Sequence, residues 1–296
     1  MRLTALLPVL CSAAALILSF LCLFAGHKKG FMEDYSLLTL NTSMIGETII
    51  NETRSTDTSN PVTNLLNSIG NAGSEIINDA IGEVTQRLGI DDFYSAHMLN
   101  YCEGQYTPAE AANATLSQSD IHKNVTECSR SKAMYKFDPT QIVEDALNKT
   151  GVDVTLDDLN WPEDIDTGIK TLNALMGAMF VLYCIAIGLI FVSLIAAAVA
   201  VLLSGRLSAC VNFLLSVLSF LAIGLASALV TAVIVKASHI INDKGNAIGL
   251  QASWGGKFLA LTWAATALML IVVLTWIVEF CIGRRHNKQP TYAKHG

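Results

Sequence analysis

Charge is scarce in this chain. Only 15% of its 296 residues are Asp, Glu, Lys or Arg, against roughly 25% in an ordinary soluble domain. Four stretches contain none at all: Leu3 to His27, Thr171 to Gly205, Leu207 to Val235 and Phe258 to Val278. The ionisable midplane groups on which ion pathways and proton relays are built are therefore missing, which argues against a channel or transporter. CxxC and HExxH spacings are absent too, so neither a zinc site nor a metallopeptidase is indicated, and no cofactor is implied. The largest hydrophilic stretch, residues 27–170, holds 23 of the 25 acidic residues and 10 of the 19 basic ones. A surface of that sign excludes nucleic acid as a partner.

What is present is apolar surface, 52% of the chain, gathered into blocks. Each charge-free stretch has at least the roughly 20 residues that cross a hydrocarbon core, and the second and third show no polar face beyond Ser, Thr, Asn and Gly, unlike core helices of a globular protein. We therefore predict an α-helical membrane protein, a four-helix transmembrane bundle with the lipid bilayer as its first partner. The expected organisation is a first span over 1–26, an extracellular domain over 27–171, further spans at about 172–203, 209–235 and 258–282, a second extracellular loop over 236–257 and a cytosolic tail over 283–296. The first span has a rival reading: Arg2, an apolar stretch and the small residues Ala25 and Gly26 match a secretory signal peptide. The stretch is longer than the usual signal core, which favours a retained anchor.

Flanking Lys and Arg divide evenly between the two sides and do not fix the topology. Glycosylation acceptors do better. The sequon N-x-S/T occurs at Asn41, Asn51, Asn113, Asn124 and Asn148, all between the first two spans, and the modification requires exposure outside the cytosol. Both termini are then cytosolic. Lys28 and Lys29 oppose this arrangement.

Of seven cysteines only Cys102 and Cys128 lie in the loop between the first two spans. Two thiols in an oxidising compartment pair; metal binding would need further ligands, and His97 and His122 do not supply the spacing. A bridge here would constrain the unfolded chain by roughly 3 kcal/mol in the loop-entropy model. Cys210 and Cys281, near the cytosolic membrane edge, are palmitoylation candidates or simply small apolar residues.

Spacing of three and four predicts an amphipathic helix over 62–88, and Asp138 followed by Pro139 predicts a capped helix over 139–148. The loop domain is expected to be mainly helical, with or without a small β-sheet. Ala196 and Ala200, and Gly224 and Ala228, offer close helix contacts. Trp161, Trp254 and Trp276 fall near the membrane interfaces.

Residues 91–105 read DDFYSAHMLNYCEGQ, followed by NVTECS around Cys128 and KFDP at 136–139; LCLFAG ends the first span and FMEDYSLLTLNTS follows it. This set resembles the fungal eisosome-associated tetraspan family that includes PalI-type pH-response membrane proteins, claudin-like in layout. The motif YxxHxxNYCxG falls on Tyr94, His97, Asn100, Tyr101, Cys102 and Gly104. The claudin tryptophan ahead of the first cysteine is absent, with Tyr101 in the adjacent position. The resemblance implies a plasma-membrane protein of cortical domains that influences membrane organisation, cell-wall integrity and endocytosis. It further implies partners among copies of itself, other membrane-domain proteins or cell-wall glycans. An alternative is a sensor or accessory subunit in ambient-pH signalling, for which His97 and His122 are the titratable candidates. Asp91, Asp92, His97, Cys102 and Glu103 supply an acid, a base and a nucleophile on paper, but a bridged Cys102 is no nucleophile, and no catalytic residue is assigned.

Overall fold

The computed structural model describes residues 6–45, 88–107, 121–150, 155–157, 164–202 and 206–286. The expected amphipathic helix over 62–88, apart from Leu88, lies outside the described residues, as do Asn51, Asn113 and Trp161. The chain forms two compact units: Met1–Leu23 with Met179–Val230 and Leu259–Gly296, and Phe24–Ala178 with Thr231–Phe258.

Among the described residues four helices are long and apolar enough to cross a membrane, over Leu6–Phe24, Asn173–Leu202, Leu207–Gly245 and Gly256–Cys281. The first is α1 (Leu6–Phe24), and the others lie within α3 (Asp164–Leu202), α4 (Arg206–Gly245) and α5 (Gly256–His286). On α1 the burial inverts that of a soluble protein, whereas α3, α4 and α5 also bury large side chains such as Tyr183, Ile223 and Trp276. On α1 the small residues Cys11, Ser12, Ala15, Ser19 and Cys22 are buried at intervals of one, three and four, while Leu7, Leu10, Ile17 and Phe20 are exposed. Lipid is as apolar as leucine, so large side chains gain nothing by turning inward and small ones let backbones approach. On α3 Ala200 is buried but Ala196 only in part, with Ala197 buried beside it, and on α4 Ala228 is exposed and Ala226 and Ser227 are buried in its place. The contact face expected at Gly224 and Ala228 is thus turned toward 223, 226, 227 and 230. Hydroxyls join the helices: Ser227 Oγ lies 2.7 Å from Thr262 Oγ1 and 2.9 Å from Thr266 Oγ1, and Tyr183 Oη pairs with Thr262 Oγ1. Where water is lacking, each hydroxyl must find such a partner within the protein.

At 39 residues α3 would run about 58 Å, well beyond the hydrocarbon thickness, and α4 continues ten residues past Val235 to Gly245. Lys236 limits the apolar stretch without stopping the helix, because helical hydrogen bonds are local and indifferent to the solvent change. The second loop is correspondingly short: a 3-10 turn (Asn246–Ile248), then a strand.

In the other unit, β1 (Leu38–Asn41), β2 (Phe93–Ala96), β3 (Tyr101–Thr107), β4 (His122–Cys128) and β5 (Gln251–Trp254) form one antiparallel sheet in the order β4-β3-β2-β1-β5. The small sheet weighed against an all-helical loop domain is therefore present. β5 comes from the loop between α4 and α5 and pairs with β1 from the loop between α1 and α3, Leu40 opposite Ala252. Asn242 completes it, donating Nδ2–H to Ala252 O at 3.0 Å and accepting from Ala252 N at 2.6 Å on the outer edge of β5. One side of the sheet buries Leu38, Leu40, Tyr94 and Ala96. The helix α2 (Pro139–Thr150) turns Ile142, Val143, Ala146 and Leu147 inward. Its start is the expected cap, with Gln141 N donating to Asp138 Oδ1 at 3.2 Å. The other side carries Phe93, Cys102, Val125 and Cys128.

Candidate functional site

The residues that stood out as a motif are brought together at the point where the chain leaves α1. Cys102 and Cys128 face each other across β3 and β4, 4.0 Å apart at Cα, and are disulfide-bonded. A bulge in β4 follows at once, so that Glu103 pairs Glu127 while Gly104 pairs Val125. Gly104 has to be glycine: a Cβ there would lie 2.2 Å from Asn124 O and 2.8 Å from the Phe93 ring.

Between β2 and β3 the chain turns, with His97 N donating to Asn100 O at 2.8 Å. The turn aims both side chains at Gly26. Asn100 Nδ2 donates to Gly26 O at 2.9 Å and to Ser129 O at 3.1 Å. Cys102 Sγ lies 3.4 Å from the same Gly26 oxygen; as a disulfide sulfur it has no proton to give, so this is a packing contact. The His97 ring lies over Gly26, where a Cβ would approach Cγ, Nδ1 and Cε1 to 2.4 Å, and Gly26 has φ +67°. Ser131 Oγ donates to His27 O at 3.0 Å and Lys29 Nζ to Thr126 O at 3.2 Å. The motif is a clasp that holds residues 26–29 against the disulfide-bridged strands.

Two sequence features change meaning here. Ala25 and Gly26, read above as the small residues of a cleavage site, are buried, and Gly26 is small because a ring covers it. Lys29, which opposed the topology, is bound to a strand carbonyl. The contribution of Gly26 was missed because nothing in the pattern links it to a histidine 71 positions later.

His97 is fully buried, and neither ring nitrogen has a hydrogen-bond partner in good geometry. Burial lowers its pKa to about 4, the Tyr35 backbone working weakly in the other direction and Lys123 weakly in the same one. Tyr94 is buried, its hydroxyl accepting from Asp91 N at 3.1 Å; burial drives its pKa up. Tyr101 is raised to about 12, first by burial and then by Glu103. Asp91 and Glu103 are pushed above the usual carboxylate range by burial first, with Asp91 further raised by Asp92 and Glu103 by Asp91. Acid, base and nucleophile are not assembled. Glu103 points to the opposite face of β3 from Cys102, Asp92 Oδ2 accepts from Tyr106 N at 2.9 Å, and the Cys102 thiol is spent on the bridge. Among the described residues no three of His, Cys, Asp and Glu are grouped to hold a metal ion.

A second brace closes the unit. Lys257 Nζ lies 2.6 Å from Asp34 Oδ2 with both side chains 60% exposed, a pair worth little in stability. Its ammonium also lies over the Tyr35 ring at 6.0 Å. Of the sequons within the described residues, Asn124 and Asn148 are exposed and Asn41 is half-buried at the end of β1. Cys210 and Cys281 are free and exposed.

Gly26→Ala tests the clasp. It is expected to cost about 2 kcal/mol, part from the left-handed backbone and part from the ring above it. In a His97→Ala background the steric part should vanish, leaving about 1 kcal/mol for the backbone. Denaturant unfolding of the four variants in detergent reads the coupling, and purely additive costs would show that the ring does not bear on Gly26.

Four apolar helices among the described residues, with a disulfide-bridged antiparallel sheet drawn from two of the intervening loops, define a multi-pass membrane protein. A family model described as SUR7/PalI family matches residues 4–275, and the chain belongs to that family. It is similar to the SUR7 family protein pun1 of Schizosaccharomyces pombe, 27% identical over an alignment of 201 residues, with 62% of this chain and 61% of that protein covered. The chain thus spans about three-fifths of the curated relative it matches. No solved structure matches it.

Proposed function

We propose that this protein organises the plasma membrane at fungal cortical domains of the eisosome type, with consequences for membrane organisation, cell-wall integrity and endocytosis. In this reading residues 27–171 and 236–257 lie outside the cell, both termini are cytosolic, and the first span is retained. The observation that carries it is the sheet: β1 and β5 come from different inter-span loops yet pair residue for residue, so both loops share one side of the membrane. The clasp at Gly26 then holds residues 26–29 against that module. A module so held has the form of a rigid external contact for wall glycans, other domain proteins or further copies, and the bundle offers lipid a broad apolar surface. Palmitoylation of Cys210 and Cys281 would add to cortical retention, and glycans on the sequons would follow from sidedness.

The ambient-pH alternative gains nothing from His97, whose protonation is displaced toward about 4, away from the alkaline range. Imaging of a tagged chain in fungal cells tests the proposal. Static cortical patches, and wall-stress sensitivity on deletion, are expected; a diffuse, mobile signal with an unaffected wall would refute it.

A further inference from the structure

Residues 27–170 carry 23 acidic side chains and 10 basic ones, yet two stretches within them hold no acid: 27–32, with Lys28 and Lys29, and 128–137, with Arg130, Lys132 and Lys136. Five of the ten cations therefore stand apart from the carboxylates that dominate the segment. The fold lays the two stretches together. Ser131 Oγ donates to His27 O at 3.0 Å, Lys29 Nζ donates to Thr126 O at 3.2 Å, and Lys132 N donates to Leu99 O at 2.8 Å, in the turn whose Asn100 holds Gly26. Gathering charge of one sign raises the free energy of the folded chain unless a counter-charge is at hand. Of the carboxylates nearest in sequence, Glu33 accepts from Gly30 N, Asp34 pairs with Lys257, Asp138 caps α2 through Gln141 N, and Glu127 stands opposite Glu103 in the β3–β4 ladder. Lys28, Arg130, Lys132 and Lys136 are all exposed, and among the described residues none of them is in an ion pair.

Two contacts fix the level of this surface. His27 is three residues beyond Phe24, where the first span ends, and Met134 Cε lies 3.5 Å from the position of a Cβ on Gly177, four residues inside the span that starts at Asn173. Residues 131–134 thus run from the end of one span to the start of the next, at the depth where both helices pass the headgroups. Met134 is apolar yet 54% exposed, and its φ of +53° lies in the left-handed region that side chains disfavour. Cations around an exposed apolar side chain at a span end have the order of an interfacial anchor, with the apolar tip toward the acyl chains and the charge at the headgroups. The guanidinium of Arg130 matches phosphate oxygens two at a time, and the lysines add point charges.

We propose that Lys28, Arg130, Lys132 and Lys136 form a docking surface for the phosphodiester headgroups of anionic phospholipids in the adjoining leaflet, with Met134 set among their acyl chains beside α3. Lys28, which counted against the expected topology, then has its counter-charge in lipid. Such docking needs only the spans, and is independent of the cortical role and of which leaflet is the outer one.

Full-length protein, purified in a neutral detergent and stripped of lipid, is titrated with phosphatidylinositol or phosphatidylcholine in mixed micelles, and bound lipid is counted by native mass spectrometry. Phosphatidylinositol should be retained in preference to phosphatidylcholine. Arg130→Gln, Lys132→Gln and Lys136→Gln should each weaken its binding about fivefold, the effect of one cation near an anionic bilayer surface. All three positions are exposed, and thermal unfolding confirms that the fold is kept. Lys149→Gln removes the same charge from the end of α2, where it acts on Asp91 and Glu103 instead, and should leave lipid binding unchanged. Met134→Ser should weaken the binding of phosphatidylinositol while its preference over phosphatidylcholine persists. Equal retention of the two lipids by the wild-type chain would overturn the surface, as would a loss with Lys149→Gln as large as with Arg130→Gln, which would mean that net charge alone counts. Displacement of the lipid by millimolar inorganic phosphate would overturn phospholipid as the occupant and leave a site for free phosphate.

Discussion

Replacing Cys102 and Cys128 together by Ala is expected to destabilise the sheet unit by about 3 kcal/mol, within the roughly 2–5 kcal/mol that loss of a native bridge costs a small extracellular domain. The separation of 26 residues sets the entropic part. Those residues include the whole of β4 and most of β3, so without the bridge an edge strand keeps its ladder with β3, interrupted at the bulge, and the side-chain contacts of Lys29 with Thr126 O and of Lys123 with Thr39. The sulfurs also belong to the buried cluster with Phe93 and Val125, and Cys102 packs on the Gly26 oxygen. Losing the bridge should thus loosen β4 and the clasp together. The double Ala variant is preferable to Ser, because a hydroxyl at the fully buried position 102 would add a desolvation cost of its own. Protease resistance and thermal unfolding in detergent, with wild-type protein plus reductant alongside, give the readout. An unchanged unfolding midpoint in both arms would mean that the ladder and the side-chain contacts carry β4 without the bridge.

How far the fold could be read in advance depended on the range of the interaction concerned. Spans were legible because crossing a bilayer is a property of contiguous residues: Leu207 to Val235 needs no partner to announce itself. The α2 cap was legible for the same reason, since Asp138 and Gln141 are three residues apart. The sheet was left open because its strands are four to seven residues long and owe their existence to partners far away, β5 pairing with a strand more than 200 positions earlier. The disulfide was the one long-range contact visible in the sequence, since only two cysteines stand between the first two spans. The clasp was half visible. YxxHxxNYCxG marked one side of it, while Gly26 and Lys29 on the other side read as a cleavage site and a topological misfit until the ring of His97 and the carbonyl of Thr126 were in place.

Acid should weaken this protein through His97 in a defined window. The ring is buried without a good hydrogen-bond partner, and its pKa falls from an ordinary 6.5 to about 4 because the charged form would lose its hydration. The folded state therefore prefers the neutral ring. Above pH 6.5 folded and unfolded chains are both neutral at this site and its contribution to stability is fully present; as pH falls from 6.5 toward 4 the unfolded chain takes up a proton that the folded chain refuses, and stability is lost. The two pKa values correspond to about 3 kcal/mol over that window. Asp91 and Glu103 act in the opposite sense. Their folded pKa values are raised, so their protonation favours the folded chain as pH falls through the carboxylate range, and the total profile understates the histidine. Subtraction removes this. His97→Phe keeps a ring over Gly26 that cannot be protonated, and its unfolding free energy should lose the part of the pH dependence between 6.5 and 4 that separates it from wild type. Urea titrations in detergent at several pH values measure both profiles. If they run parallel, His97 exchanges its proton as freely in the folded protein as in the unfolded one, and the clasp is open to water.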